Sequence, residues 1–291
     1  MIPKELAQKV RYIQIYTNKT VNDVMAGEYH SVFKGQGVEF EEVREYQPGD
    51  EVRSIDWNVT ARMGRPFVKR YREERELSIL FLVDLSASGD FGTVQRTKNE
   101  IATELCALLA FSAVKNNDKV GLIAFTDRVE LFIPPAKGTT HVLRVIRDIL
   151  AFTPGRARTD IAAALDYLGR VTTKRSVVFL ISDFIGEGYE KPLRVAGKRH
   201  DLIAVSIGDP REYVLPNAGL IELEDAETGQ CVTVDSGNAV IRRRFEALGQ
   251  ERRERLRSRF ASMDIEHLEI MTDRDYVRDI IRFFRARERR L

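Results

Sequence analysis

The residues best suited to chemistry in this sequence are oxygen-bearing side chains in three separate segments. Asp84, Ser86 and Ser88 alternate in the stretch DLSAS, Thr159 lies in TPGRARTD, and Asp183 lies in LISDF. An extended loop places residues i, i+2 and i+4 on one side. Carboxylates and hydroxyls are hard ligands, which suit Mg²⁺, Mn²⁺ or Ca²⁺ better than they suit metals that prefer thiolate or imidazole. These five residues therefore predict one divalent-metal site, with Mg²⁺ as the first choice.

Two apolar runs are expected to bring these residues together. The segments 77–83 (LSILFLV) and 176–182 (SVVFLIS) are nearly continuous in apolar residues, as strands buried on both faces are. Asp84 follows the first run directly, and Asp183 follows the second. Thr159 precedes a predicted helix that leads into the second run. In parallel sheets, ligands bind at the carboxyl ends of the strands, so we expect all five side chains at one edge.

The rest of the chain after residue 76 alternates between buried strands and amphipathic helices. This pattern predicts an α/β fold: a doubly wound, mostly parallel sheet with helices on both faces. The three-residue link at 126–128 is short enough for a hairpin, so one edge strand should be antiparallel. A polar-tipped hairpin is expected at 220–235. The other predicted strands are 120–125, 129–133, 201–208 and 265–271, and the predicted helices are about 95–114, 140–152, 160–171, 189–199, 237–262 and 274 to the end.

The first 75 residues have a different character. A helical pattern at 4–16 is followed by a turn-rich stretch at 27–49, with short candidate strands near 38–46 and 65–71. These elements do not contain enough apolar residues for a complete core of their own. We therefore predict an N-terminal extension over residues 1–75 and an α/β domain over residues 76–291.

Composition narrows the class of protein. The chain has 291 residues, 43% of them hydrophobic, and its 31% charged residues balance to a net charge of only +2. That balance argues against a surface built for nucleic acid. The two cysteines, Cys106 and Cys231, are far apart and suggest no disulfide framework. The start of the chain does not resemble a signal peptide, and no apolar run approaches the length of a membrane span. These features predict a cytoplasmic protein.

Two other interpretations of the oxygen-bearing residues stay open. Asp84, Asp183 and the serines could cap backbone N–H groups without binding any ion. Alternatively, a strand-end aspartate beside Mg²⁺ could belong to a phosphoryl-transfer enzyme or a nucleotide-binding protein, as in haloacid-dehalogenase phosphatases. Those phosphatases need a second aspartate two positions on, where this chain has Ser86, and no glycine-rich phosphate loop is present. We therefore expect a protein that is not an enzyme.

The order Asp-x-Ser-x-Ser, Thr, Asp resembles the metal-ion-dependent adhesion site (MIDAS) of von Willebrand factor A domains. The resemblance extends over about 77–271, and all five positions match. In that family the two serines and the threonine contact the metal directly or nearly so, and the aspartates often act through water. Two positions depart from the pattern: Phe184 stands where a glycine often follows the second aspartate, and Asp160 adds a carboxylate beside the threonine.

The segment 45–76 (EYQPGDEVRSIDWNVTARMGRPFVKRYREERE) resembles the signature of the "domain of unknown function fifty-eight" family. Members of that family carry a von Willebrand A core and accompany MoxR-type AAA+ ATPases. The resemblance implies a metal-dependent protein-interaction module or adaptor, which assists such an ATPase in chaperone-like maturation of client complexes. An acidic residue of the partner would bind at the metal, and Arg156 and Arg158 beside Thr159 could help to recruit an acidic surface. By their residue types alone, Asp56 and Trp57 suggest only a packed anchor.

Overall fold

The computed structural model describes the chain over most of its length, as residues 4–21, 29, 39–72, 76–94, 96–152, 158–226 and 228–290. In the described residues the strands are β1 Glu39–Glu45, β2 Phe67–Arg72, β3 Ser78–Asp84, β4 Lys119–Phe125, β5 Val129–Ala136, β6 Val177–Ser182, β7 Asp201–Gly208, β8 Leu220–Glu224, β9 Cys231–Asp235 and β10 Glu266–Met271. The α-helices are α1 Lys4–Thr20, α2 Trp57–Met63, α3 Lys98–Lys115, α4 Thr139–Ala151, α5 Ile161–Val171, α6 Glu190–Arg199, α7 Ala239–Ser262 and α8 Tyr276–Glu288.

A six-stranded sheet organises the larger of two compact units. Its strand order is β10-β7-β6-β3-β4-β5, and every neighbouring pair is parallel except β4 with β5. In this sheet β3 is the first strand in sequence. The chain adds β4 and β5 on one side of β3 and then adds β6 on the other side. This makes the carboxyl ends of β3 and β6 the point at which the strand order reverses. The predicted mostly parallel α/β sheet with one antiparallel edge strand is confirmed.

The sheet is buried on both faces because its central strands are apolar at nearly every position. Leu80 and Leu82 of β3 pack in one cluster with residues of α5 and α6 and with Phe260 of α7. Successive strand residues point to opposite faces, so Ile79 and Phe81 lie on the other side, where α3 covers β3. All four side chains in β3 are fully buried. Burial on both faces explains why the segment is a continuous apolar run and does not alternate.

Helix α1 belongs to the larger unit. It packs on α3 and α4, and the side chain of Ile13 is only 2% exposed. An ion pair of 2.6 Å between Lys9 and Glu100 joins α1 to α3. The predicted boundary between residues 75 and 76 places α1 apart from the helices that it contacts. The larger compact unit includes α1 together with those helices. The apolar side of α1 packs on the helices that cover the sheet. This packing stabilises α1, because most of the stability of a helix in a protein comes from tertiary packing of its apolar face.

The smaller unit contains the described residues 39–72 together with 76 and 77. Strands β1 and β2 form an antiparallel pair, and α2 lies between them in sequence. Asp56 is the N-cap of α2, and its side chain accepts hydrogen bonds from the N–H groups of Asn58 and Val59. Trp57 is 66% exposed. The interpretation of Asp56 and Trp57 as a packed anchor is therefore wrong: the aspartate caps a helix that the sequence patterns did not predict, and the tryptophan faces solvent.

Candidate metal site

The loop that follows β3 places three of the predicted ligands side by side. Asp84 ends the strand with a side chain that is almost fully buried, and its Oδ1 accepts a hydrogen bond from the Ser86 N–H at 3.0 Å. The hydroxyl oxygens of Ser86 and Ser88 are 3.0 Å apart. Ser86 begins a 3₁₀ turn, yet its side chain makes no capping hydrogen bond. Capping therefore explains part of the role of Asp84 but leaves the two serine hydroxyls unexplained.

Close packing holds this loop against α3. A Cβ atom added to Gly89 would lie 2.1 Å from the side-chain oxygen of Asn99, so no other residue fits without a shift. The amide of Asn99 in turn donates to Asp90 at 2.9 Å. The serine loop is thus fixed on the first turn of α3, and the two hydroxyls have a defined position.

Ser182, the last residue of β6, connects the two halves of the site. Its hydroxyl donates to Oδ2 of Asp84 at 2.6 Å and accepts from the Phe184 N–H at 3.0 Å. Burial raises the pKa of Asp84 to about 6, with a further contribution from the negative charge of Asp183; the hydrogen bonds from Ser182 and Ser86 oppose these effects. A buried carboxylate with a raised pKa beside a second carboxylate is an environment that a cation would stabilise.

Asp183 follows β6 at the same edge, and its side chain is only 5% exposed. Its Oδ1 accepts from the Ile185 N–H at 3.1 Å. The next residue, Phe184, has a φ of +55°, in the left-handed region that a glycine would adopt at low cost. Its ring is buried against Phe260 and Tyr189, with centroid distances of 5.0 and 5.9 Å. Phe184 therefore takes a conformation that suits a glycine, and its aromatic packing offsets the strain.

A buried lysine that the sequence analysis missed lies beside Asp183. The Lys98 ammonium is 2.8 Å from Oδ2 of Asp183 and 2.7 Å from Oε1 of Glu212. Burial alone lowers the pKa of Lys98, but the two carboxylates outweigh burial and the net pKa is raised. The sequence TKNE does contain a signal, because Thr97 and Glu100 form a capping box that starts α3 at Lys98. The two partners of Lys98 lie 85 and 114 residues away in the chain, and no local pattern predicts them.

The second partner of Lys98 is part of a wider hydrogen-bond network at this edge. Oε2 of Glu212 accepts from the Asp209 N–H at 2.9 Å. The fully buried Asp209 carboxylate accepts from the N–H and hydroxyl of Thr93 and from the hydroxyl of Thr272. These hydrogen bonds lower the pKa of Asp209 against the opposing effect of burial. Through this carboxylate the loop before α3, the end of β7 and the end of β10 are held together.

Thr159 lies at the same edge but does not line the cavity that the other four predicted ligands share with Lys98. The next residue, Asp160, donates its N–H to the carbonyl of Thr126 at 2.8 Å. The carbonyl of Phe125, the residue before Thr126, accepts from the N–H of Leu85, so the end of β4 contacts both loops. The side chain of Asp160 caps α5 through the Ala163 N–H at 2.9 Å. This extra carboxylate thus serves the helix and not the cavity. Of the two arginines expected beside Thr159, Arg158 is exposed and Arg156 lies outside the described residues.

The four predicted ligands among the residues that line the cavity fit a small hard cation. For Mg²⁺ with oxygen ligands at 2.0–2.1 Å, neighbouring octahedral ligands are about 2.9 Å apart, close to the observed Ser86–Ser88 spacing of 3.0 Å. The cavity of about 20 Å³ accommodates one particle of water size. Within the described residues, no three or more His, Cys, Asp and Glu side chains come together in a way that could hold a metal. The set predicted here has only two carboxylates and relies on hydroxyls for the rest.

A larger cleft opens next to the cavity, and Asp183 lines both. Its volume is about 230 Å³, and its walls come from the loop after β6, from β7 and β10, and from α7. Arg252 and Arg253 of α7 lie over the Tyr213 ring at 5.9 and 5.8 Å from its centroid. The cleft is open beside the small cavity. The described residues contain no helix that is long and apolar enough to cross a membrane.

Comparison with known proteins assigns the chain to a family. The family model for "Protein of unknown function DUF58" matches residues 42–255. The uncharacterized protein Rv1480 of Mycobacterium tuberculosis is 33% identical over 98% of this chain and 90% of its own length. The uncharacterized protein YeaD of Bacillus subtilis is 23% identical over 62% of this chain and 43% of its own.

Two solved structures are also similar. One is described as an aerotolerance-related membrane protein from Bacteroides fragilis, with 17% identity, a TM-score of 0.48 and coverage of 74% of this chain and 100% of that one. The other is the conserved hypothetical protein BatB from Bacteroides thetaiotaomicron, with 18% identity, a TM-score of 0.47 and coverage of 73% and 99%.

Proposed function

The chain belongs to the DUF58 family of proteins of unknown function, and we propose that it is a metal-dependent protein-interaction module or adaptor. One observation carries the proposal: Asp84, Ser86, Ser88 and Asp183 line one small cavity where the strand order of the sheet reverses. This is the position at which open α/β sheets bind ligands. The geometry supports a MIDAS-type site, with Thr159 at the same edge of the sheet but outside the cavity.

In this proposal Asp84, Ser86 and Ser88 hold the metal, Asp183 lies beside it in the cavity, and Thr159 is the fifth residue of the pattern at the same edge of the sheet. The metal is Mg²⁺, or Mn²⁺ or Ca²⁺ in its place, because all these groups are oxygen ligands. Such an ion supplies an electron-poor coordination position that attracts a carboxylate. The protein itself contributes a fixed pair of hydroxyls and a buried acid. Ser182 orients that acid by a hydrogen bond of 2.6 Å.

The proposed partner is a MoxR-type AAA+ ATPase, or a client of that ATPase, which docks an acidic residue at the metal in the cytoplasm. Family resemblance alone suggests this partner. Exposed Arg158, which precedes Thr159, is placed to attract an acidic surface. Charges at the rim of an interface mainly raise the association rate, so added salt should slow formation of the complex.

Co-purification with a MoxR-type AAA+ ATPase from the same organism tests the proposal. Recovery with Mg²⁺ should exceed recovery in EDTA, and Ser86→Ala with Ser88→Ala should match the EDTA result. Ser258→Ala, on the exposed face of α7, is the control with a similar loss of a hydroxyl. Equal recovery of the wild type with Mg²⁺ and with EDTA would show that the contact does not run through the metal.

We also propose that the protein is not an enzyme, in preference to the phosphoryl-transfer alternative. Ser86 stands at the position that a general acid would need, and no glycine-rich loop is available to hold phosphates. Purified protein with Mg²⁺ should not hydrolyse ATP or a generic phosphoester above background. Turnover that persists through purification and disappears in Asp84→Asn would contradict this expectation.

A further inference from the structure

Lys98 is a buried cation at a position where two physical effects disfavour a cation. It is the first residue of α3, where the partial positive charge of a helix N-terminus repels an ammonium group. It is also only 3% exposed, so water does not solvate its charge. The carboxylates of Asp183 and Glu212, at 2.8 and 2.7 Å, offset both costs. Lys98 is thus held between these two carboxylates although burial and the helix N-terminus both disfavour its charge.

The same ammonium lines the cavity proposed to hold the metal. Asp183 has both oxygens engaged, since Oδ2 contacts Lys98 and Oδ1 accepts from the Ile185 N–H. A divalent ion in a cavity of about 20 Å³ would lie within a few ångströms of the ammonium, and the two positive charges would repel each other. Because of this repulsion, a metal that binds Asp183 is expected to displace Lys98 from it.

Glu212 provides the displaced ammonium with a remaining partner. Its Oε1 already contacts Lys98, and its Oε2 is held by the Asp209 N–H at 2.9 Å. The exchange of Asp183 from Lys98 to the metal consequently leaves no buried charge unpaired. This is the condition under which such an exchange is feasible inside a protein.

We propose that the Lys98 ammonium and the metal compete for Asp183, so that Lys98 sets the metal affinity of the site. The inference rests on the proposed function, because it concerns the same metal. Lys98 lies outside the five-residue pattern, and in this role it regulates when the site is loaded. A partner carboxylate that binds the metal would shift the competition further toward release of Lys98.

The test uses Mn²⁺ as the probe and the loss of the free-Mn²⁺ electron paramagnetic resonance signal as the measure of binding. Lys98→Met keeps the apolar stem and removes the charge, so the dissociation constant should fall by about tenfold or more. Lys98→Arg is the matched control that keeps the charge, and its affinity should stay within about threefold of the wild type. Glu212→Gln removes the alternative partner of the ammonium and should weaken Mn²⁺ binding.

A second variant protects the test against a failure to fold, since removal of one member of a buried ion pair is destabilising. The double variant Lys98→Met with Glu212→Gln keeps the net charge of the cluster unchanged while it frees Asp183, and it should also bind Mn²⁺ more tightly than the wild type. Equal affinity in the wild type, Lys98→Met and the double variant would overturn the competition but leave the proposed metal site standing. No binding by any of the three would overturn both.

Discussion

The hydroxyl of Ser182 donates a 2.6 Å hydrogen bond to Oδ2 of Asp84 and so joins the carboxyl ends of two neighbouring strands. The two residues are 98 positions apart in the chain, and both are buried. The same hydroxyl accepts the Phe184 N–H, so one side chain positions both the buried acid and the loop that carries Asp183. The geometry of the candidate site depends on this contact.

Ser182→Ala should therefore destabilise the protein and weaken metal binding. Oδ2 of Asp84 would lose its hydrogen-bond donor in a buried position, at a cost of about 1–3 kcal/mol. The loss should also raise the pKa of Asp84 further, because this hydrogen bond favours the ionised form. Urea unfolding measures the loss of stability, and a metal titration at neutral pH measures the weaker metal binding. Ser258→Ala should change neither; a Ser182 variant indistinguishable from this control would disprove the role assigned to the contact.

Phe184 should contribute to stability through its ring although its backbone is strained. A left-handed conformation costs a non-glycine residue about 1–2 kcal/mol, but the ring fills the space between Tyr189 and Phe260. Phe184→Ala keeps the strain and loses the packing, and should destabilise by about 3–5 kcal/mol. Phe184→Gly also loses the packing but relieves the strain, so chemical denaturation should find it no less stable than the alanine variant. An alanine variant clearly more stable than the glycine variant would contradict the strain.

The elements that build the site were predictable because their signals are local. The run LSILFLV predicted β3 within one residue of its observed bounds, Ser78–Asp84, and with it the position of Asp84 at the edge of the sheet. The antiparallel β5 followed from the short link at 126–128. These features depend on the spacing of apolar residues and on turn length, which a single sequence shows directly.

The contacts of the site were not predictable because they join distant parts of the chain. No pattern near Lys98 indicates that its ammonium reaches Asp183 and Glu212. Trp57 suggested a buried anchor by its residue type, whereas its ring is 66% exposed. Helix α1 contacts α3 and α4, although in sequence it is grouped with the segment that forms the smaller unit. Tertiary packing decides such cases, and local propensity does not.

Metal binding should depend on pH through Asp84. Its pKa is raised to about 6 by burial and by the charge of Asp183, so the carboxyl is mostly protonated at pH 5 and mostly ionised at pH 7. The ionised form binds the metal, and affinity should therefore fall about tenfold as the pH falls from 7 to 5. Titration calorimetry in two buffers of different ionisation enthalpy counts the protons released. Close to one proton per metal is expected at pH 5 and close to none at pH 7.5; no release at pH 5 would contradict the assignment of Asp84.

Titration of the purified protein with Mg²⁺ and Mn²⁺ tests the central claim most directly. The wild type should bind one equivalent weakly, since no partner carboxylate completes the metal surroundings, and Asp84→Ala should abolish the binding because it removes the buried acid beside Ser86 and Ser88. Asp160→Ala removes the nearby carboxylate that caps α5, and as the control it should leave the stoichiometry unchanged. Equal binding by the wild type and Asp84→Ala, or loss of binding only in Asp160→Ala, would show that the metal site is wrongly placed.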